Sequence, residues 1–296
     1  MNEYVLICLA TLLFSLQFLF TKKYQTVAGT QVEASFFQRI SSPIAFIVIM
    51  LFYNRFQLSF TPFSFVLALL TALLSNAMML FSIKALSLGS VANYSLYLLC
   101  GGMVIPVLYG ALVGDSFNVW KIASIALLLT AILVKFDKKE KAGKTALIAF
   151  LMLFLLNGLV GVVSSLHQGD LLSFEKVSSV EFMIWNSLLS MAIGGVGFGV
   201  CALRARGQVP MKVFAKAMPW AMCDGLLNGV ANLFLLISLQ KLAPSLQYPM
   251  VTGGTIFLSA VFGWLIYKEK TNKKVWLSVL LAVVGTVLMA VGELCF

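Results

Sequence analysis

The chain is poor in charge and almost without histidine. Of its 296 residues, Asp, Glu, Lys and Arg make up 11%, and His167 is the single imidazole. A soluble domain carries about 25% charged residues, so a water-facing surface cannot be built here. One His excludes a His-based metal cage, and no Cys pair has metal-ligand spacing. The five cysteines, Cys8, Cys100, Cys201, Cys223 and Cys295, are scattered, four of them within or near apolar blocks. They read as small buried hydrophobes. A phosphate-binding loop is also missing: Gly195-Val196-Gly197-Phe198-Gly199 lies inside an apolar run with no strand before it. These absences remove most enzyme classes and any ATP-driven device, and no cofactor is expected.

What the chain has instead is apolar length. Hydrophobic residues make up 60% of it, in blocks near the roughly 20 residues that a bilayer span needs. Reading for uncharged runs predicts ten helices. The first five are Tyr4–Phe20, Phe36–Tyr53, Phe63–Ile83, Val91–Val113 and Val119–Val134. The second five are Thr145–Val163, Phe182–Leu203, Val213–Leu239, Leu246–Tyr267 and Val275–Val291. The expected fold class is an all-α integral membrane protein, multi-pass in the plasma or inner membrane. No basic residue precedes the first span and no cleavage site follows it, so it reads as a retained helix.

Charge position tests that count. With ten spans, sixteen of the 21 Lys and Arg residues fall on one face, including Lys22, Lys84, Lys138, Arg206 and Lys273. Four, Arg55, Lys121, Lys176 and Lys241, fall on the other, and Arg39 lies within a span. By the positive-inside rule the rich face is cytoplasmic and both termini lie outside. The net charge of +10 is then a topology signal toward anionic lipid headgroups, and no nucleic-acid partner is expected.

The chain also repeats itself. Residues Ser75 to Leu86 lie over Ala231 to Leu242 at an offset of 156, with Asn76 and Asn232, Ser82 and Ser238, and two Leu pairs coinciding. After each comes a polar-aromatic pair (Asn93-Tyr94, Gln247-Tyr248), then a Gly-Gly pair (Gly101-Gly102, Gly253-Gly254), then an acid just past the span (Asp115, Glu269). Trp120 and Trp276 stand near the start of the last span of each half. The reading is two repeats, residues 1–140 and 141–296. Five helices per half force the second to enter the membrane inverted, an arrangement that places a substrate site between the halves near the midplane.

These residues resemble the drug/metabolite transporter superfamily, in particular its EamA-type members. Phe36-Phe37-Gln38-Arg39 is similar to that family's second-helix Arg, and Ala85-Leu86 to the Ala-Leu pair that leaves the third helix. Glu269-Lys270-Thr271 followed by Val284-Gly285-Thr286 resembles its acid-then-glycine ending. Phe14-Ser15 departs from the family's first-helix Trp-Gly. The resemblance implies ten helices in two inverted repeats and a transport function. It also implies cytoplasmic termini, against the charge count, which is followed here.

Polar groups in hydrocarbon are costly and need an account. Asp224 is the only acid within a predicted span, and Asn228 and Asn232 follow it at four-residue intervals on one helix face. Desolvation disfavours the charged form of a carboxyl there, so Asp224 is the candidate coupling group, able to bind a proton on one side and release it on the other. Arg39 is the in-span base, either a structural anchor or a grip for an anionic group. Asn76 and Asn232 either line a central site or bridge helices. Gln17, Tyr94, Tyr97, Asn157, Trp185, Asn186, Tyr248 and Thr252 complete the candidate lining. Three GxxxG spacings, Gly110/Gly114, Gly195/Gly199 and Gly225/Gly229, predict close helix contacts. Asp115 and Glu269 are expected to cap or orient the last helix of each repeat.

The function expected from this pattern is secondary transport of a small polar or amphipathic metabolite, coupled to protons or another ion, by a monomer or homodimer. A lipid or lipid-phosphate translocase is the alternative within transport. A membrane enzyme is the alternative from another class; it has only the loop His167-Gln168-Gly169-Asp170 to offer an acid/base pair.

Overall fold

Long runs of Leu, Phe, Val and Ala leave the backbone no partner in hydrocarbon but itself, and a helix satisfies its N–H and C=O groups internally. The computed structural model describes residues 3–112, 118–134, 143–169, 173–205, 210–238, 244–269 and 273–295. The first half holds α1 (Glu3–Ala28), α2 (Val32–Ser41), α3 (Pro43–Tyr53), α4 (Pro62–Leu88), α5 (Val91–Leu112) and α6 (Val119–Val134). The second holds α7 (Gly143–Gln168), α8 (Ser179–Arg204), α9 (Met211–Ser238), α10 (Pro244–Tyr267) and α11 (Lys273–Cys295). Among the described residues there is no strand. Among the described residues, nine helices, with α2 and α3 taken together, are long and apolar enough to cross a membrane, and α6 is a shorter tenth. The chain has the all-α architecture that fits a multi-pass membrane protein.

Two features differ from the sequence reading. Several helices run past the predicted ends, because a search for uncharged runs stops at Lys22, Lys23 or Glu33 whereas the backbone continues through them. The second span is interrupted at Ser42. Pro43 has no N–H to offer the carbonyl of Arg39 one turn back, and α3 starts with that proline. The boundary between residues 1–140 and 141–296 lies outside the described residues, as does Asp115.

Local signals fix several helix starts. Thr61 caps α4, its Oγ1 accepting from Ser64 N at 3.4 Å, with Pro62 in the first turn. Ser178 and Glu181 form a reciprocal capping box at α8. Asn118 caps α6, accepting from Lys121 N at 3.0 Å, and donates to Gly292 O of α11 at 2.8 Å.

Packing follows the small residues. α1 lies along α9 and α10, α7 along α4 and α5, α8 against α2 and α4, and α6 against α11. A Cβ on Gly101 would overlap the backbone of Phe154, and one on Gly225 the backbone of Ser42, so both glycines are required by the approach of a second helix. The GxxxG expectations divide. Gly225/Gly229 packs on Ser42 and Phe46, while Gly195 and Gly199 have nothing within 4 Å. On α8 the contacts move to Gly194 and Gly197, against Arg39 and Phe36. Gly114 lies outside the described residues.

Two polar residues outside the predicted spans find partners that the sequence does not announce. Glu269, expected at the last helix, turns its carboxylate to the start of α5, accepting from Val91 N at 3.0 and 3.1 Å, and residues 270–272 leading into α11 lie outside the described residues. His167 is not in a solvated loop. It sits in the last turn of α7, 2% exposed, stacked on Phe182 at 3.9 Å and hydrogen-bonded to Ser64 Oγ at 3.0 Å. The aromatic neighbour and the partnered ring nitrogens explain why an imidazole is tolerated there. Asp170 lies outside the described residues.

Candidate functional site

A cavity of about 230 Å³ runs through the bundle, lined from α1 to α5 in the first half and from α7 to α10 in the second. Among the described residues, none of the lining comes from α6 or α11. Drug-sized sites span roughly 300–1,000 Å³, so this volume suits a small metabolite. Apolar walls come from Phe14, Phe18, Phe46 and Phe182.

Nine of the thirteen predicted site residues line it: Gln17, Arg39, Tyr94, Asn157, Asn186, Asp224, Asn228, Asn232 and Tyr248. Four do not. Asn76 is buried and bridges α4 to α8, its Nδ2 donating to Ser190 O at 3.1 Å and Ser190 Oγ at 3.0 Å. Tyr97 stacks on Phe150 at 4.9 Å. Trp185 donates from Nε1 to Ser59 O at 2.9 Å and packs edge-on against Phe65. Thr252 is buried within α10.

Asp224 is held by side chains of two other helices. It is 3% exposed, and α1 and α2 both reach it. Thr21 Oγ1 lies 2.6 Å from Oδ1, and Gln38 Nε2 donates to Oδ2 at 2.9 Å. Gln17, one turn before Thr21, accepts from Asn228 Nδ2 at 3.1 Å. Asn232 in turn donates to Asn228 O at 2.9 Å, and Gln17 of α1, which hydrogen-bonds both Asn228 and Asp224, joins the three α9 residues. Arg39 does not close on this carboxylate; its Nη2 donates to Ser75 O of α4. Its Nε is buried without a partner, as is Asn186 Oδ1, and both residues line the cavity. The site therefore offers a held carboxyl on one wall and an unused guanidinium donor on another.

Thr21 and Gln38 were not among the predicted residues. Thr21 stands four residues after Gln17, the spacing that flagged the α9 stripe, but a helical Thr most often bonds its own preceding turn. Gln38 adjoins Arg39 yet faces α9, an orientation fixed only by how α2 docks. The serines of the lining, such as Ser75, Ser82 and Ser164, carry no sequence signal of their own.

No family model and no curated protein matches the chain. A solved protein crystal structure aligns with it over 100% of this chain and 99% of its own, at a TM-score of 0.64 and 14% sequence identity. At that identity the likeness is one of fold, and it extends over the whole of both chains.

Proposed function

We propose that the chain is a secondary transporter of a small polar or amphipathic metabolite, working by alternating access at the central cavity. The observation that carries this reading is a cavity walled by helices of both halves, with a buried carboxyl, a guanidinium and several amides at mid-helix positions. Such groups inside spans mark substrate and ion pathways.

The packing supports an inverted repeat. Exchange each element of the first half for its counterpart, α1 for α7, α2 and α3 for α8, α4 for α9, α5 for α10. The pair α1–α9 becomes α7–α4, α1–α10 becomes α7–α5, and α4–α8 becomes α9 with α2 and α3; all of these pairs are in contact. The pairs α5–α10 and α6–α11 return to themselves, and both are in contact. Interdigitated repeats related by an axis in the membrane plane produce that exchange symmetry.

In this reading Asp224 is the coupling group, its carboxyl presented to the cavity by Thr21 and Gln38. The basic face is cytoplasmic, the membrane is the cell membrane, and no catalytic chemistry is assigned. The test is a thermal-shift screen of purified protein against a metabolite library, followed by uptake of the hits into proteoliposomes. Stabilising ligands that are also taken up are expected. Ligands that bind and are chemically altered instead would overturn the reading.

A further inference from the structure

At one end of the bundle, contacts that no part of the central site explains tie α1 and α10 to α4 and α5 and to each other. Lys22 Nζ of α1 donates to Leu86 O, in the last turn of α4, at 2.6 Å. Glu269, just past α10, takes the N–H of Val91 at the start of α5 with both oxygens, at 3.0 and 3.1 Å. Tyr267 OH donates to Leu19 O of α1 at 2.6 Å. Lys22 also lies in the field of the Glu269 carboxylate. Both charges come from the α1 and α10 side of the seam with α4 and α5, each seated on a helix terminus of the other side. A cation at a helix C-terminus and an anion at an N-terminus are the favourable placements for both.

The local backbone is shaped for this contact. Lys268 has φ 49°, a left-handed turn that ends α10 and turns Glu269 back toward α5. Gly263 faces it: a Cβ there would stand 2.8 Å from Glu269 Oε2. This end carries Lys22, Lys84, Lys268, Lys273 and Lys274, and so belongs to the basic face. The cavity begins just inside it, at Thr21, Ser82 and Tyr94, and extends to Phe182, Leu236 and Tyr248, near the helix ends on the opposite face. At that opposite end, among the described residues, Tyr248 of α10 meets Ser165 of α7.

We propose that Lys22 and Glu269 form the gate of the basic face, closed in this structure, and that alternating access requires both to leave the helix ends they hold. The proposal rests on the transport reading, and it adds the position and chemistry of one gate. Each contact is a charged group on backbone atoms, so it breaks as a unit without repacking a core, as a two-state element demands.

The test reads access and needs no substrate. In protein with its five cysteines replaced by alanine, Met78→Cys places a thiol on the cavity wall for a membrane-impermeant maleimide applied from the basic face. The parent should label slowly. Lys22→Ala/Glu269→Ala should label about tenfold faster, and Glu269→Gln, which keeps one acceptor, should lie between. Unchanged labelling in monodisperse double variant overturns the gate. If that variant does not fold, a cross-link decides. A Cβ on Gly263 would lie 3.5 Å from Val91 Cβ, within disulfide reach. Oxidising Val91→Cys/Gly263→Cys should stop uptake, and reduction should restore it. Uptake that continues with the bridge fully formed sinks the gate and leaves transport standing. Absence of uptake in the reduced parent defeats the transport reading, while the labelling result still judges closure of this face.

Discussion

Gly225 of α9 lies against Ser42 so closely that a Cβ would overlap the Ser42 carbonyl. The contact falls at the interruption between α2 and α3, one residue after Asp224. It fixes how deeply α9 enters the first half, and hence where the carboxyl stands. Gly225→Ala should cost about 1–3 kcal/mol, because the overlapping atoms are backbone and cannot rotate away. Gly195→Ala is the control, with nothing within 4 Å of its added methyl. Thermal unfolding in detergent checks both. Equal midpoints for the two variants would mean that the close approach is not a constraint.

Asn76 and Asn232 should respond differently to the same change. Asn76 holds α4 to α8 through Ser190, so Asn76→Leu should lower folded yield, at a cost of about 1–3 kcal/mol for the bonds left unmade. Among the described residues Asn232 bonds within α9, to Asn228, and it lines the cavity. Asn232→Leu should fold normally and slow transport by up to about tenfold, the worth of one hydrogen bond. Matched losses of folded protein in both would return Asn232 to a structural role.

Asp224→Asn keeps an amide that Gln38 and Thr21 still reach, but it has no proton to exchange. Gradient-driven uptake should be lost, exchange partly retained, and the pH profile of transport flattened. The groups that share its field are Tyr24 of α1, Arg39 of α2 and Tyr94 of α5. Uptake measured over a pH series checks this. Wild-type uptake with wild-type pH dependence would reduce Asp224 to a packing residue.

Trp185→Phe should leave transport unchanged. The indole lies off the cavity, and its loss removes one bond to Ser59 O while the edge-on packing with Phe60 and Phe65 persists. A stability loss of about 1 kcal/mol is expected. A transport defect without a stability defect would bring the aromatic back into the site.

Orientation has its own test. Lys139→Cys should label only from the cytoplasm, as the charge asymmetry requires. Labelling from outside intact cells would reverse the assignment of faces and leave the packing symmetry untouched.

Spans were legible because hydrocarbon imposes a length and a composition, and α5 and α10 lie close to their predicted bounds. The helix ends were not, since charged residues such as Lys22 and Glu33 continue a helix as readily as Leu does. Within the site, the α9 stripe was visible because Asp and Asn are rare in such a setting, and its spacing places all three on one face. Which of its two roles Asn76 takes was not legible, for the opposite reason. Its register with Asn232 is real in sequence, but which neighbour each amide meets depends on the docking of α8, and no local pattern encodes that. Glu269 was visible as a motif acid, yet its target lies 178 residues away. Only the left-handed turn at Lys268 directs it there, and a Lys at that position gives no warning of positive φ.

The hydroxyl of Thr21 has one hydrogen and two oxygens within reach, Gln17 O at 3.1 Å and Asp224 Oδ1 at 2.6 Å. With Asp224 ionised, the hydrogen points across to the carboxylate. With Asp224 neutral, it turns back along α1 to Gln17 and the acid's own hydrogen occupies the short contact. Loading or unloading the carboxyl thus reverses the polarity of one bond and leaves the same heavy atoms in place. A Val at position 21 would preserve the volume and abolish that rotor. The acid would then have to find its second partner in water, and filling or emptying it would carry a solvent molecule in or out of the bundle.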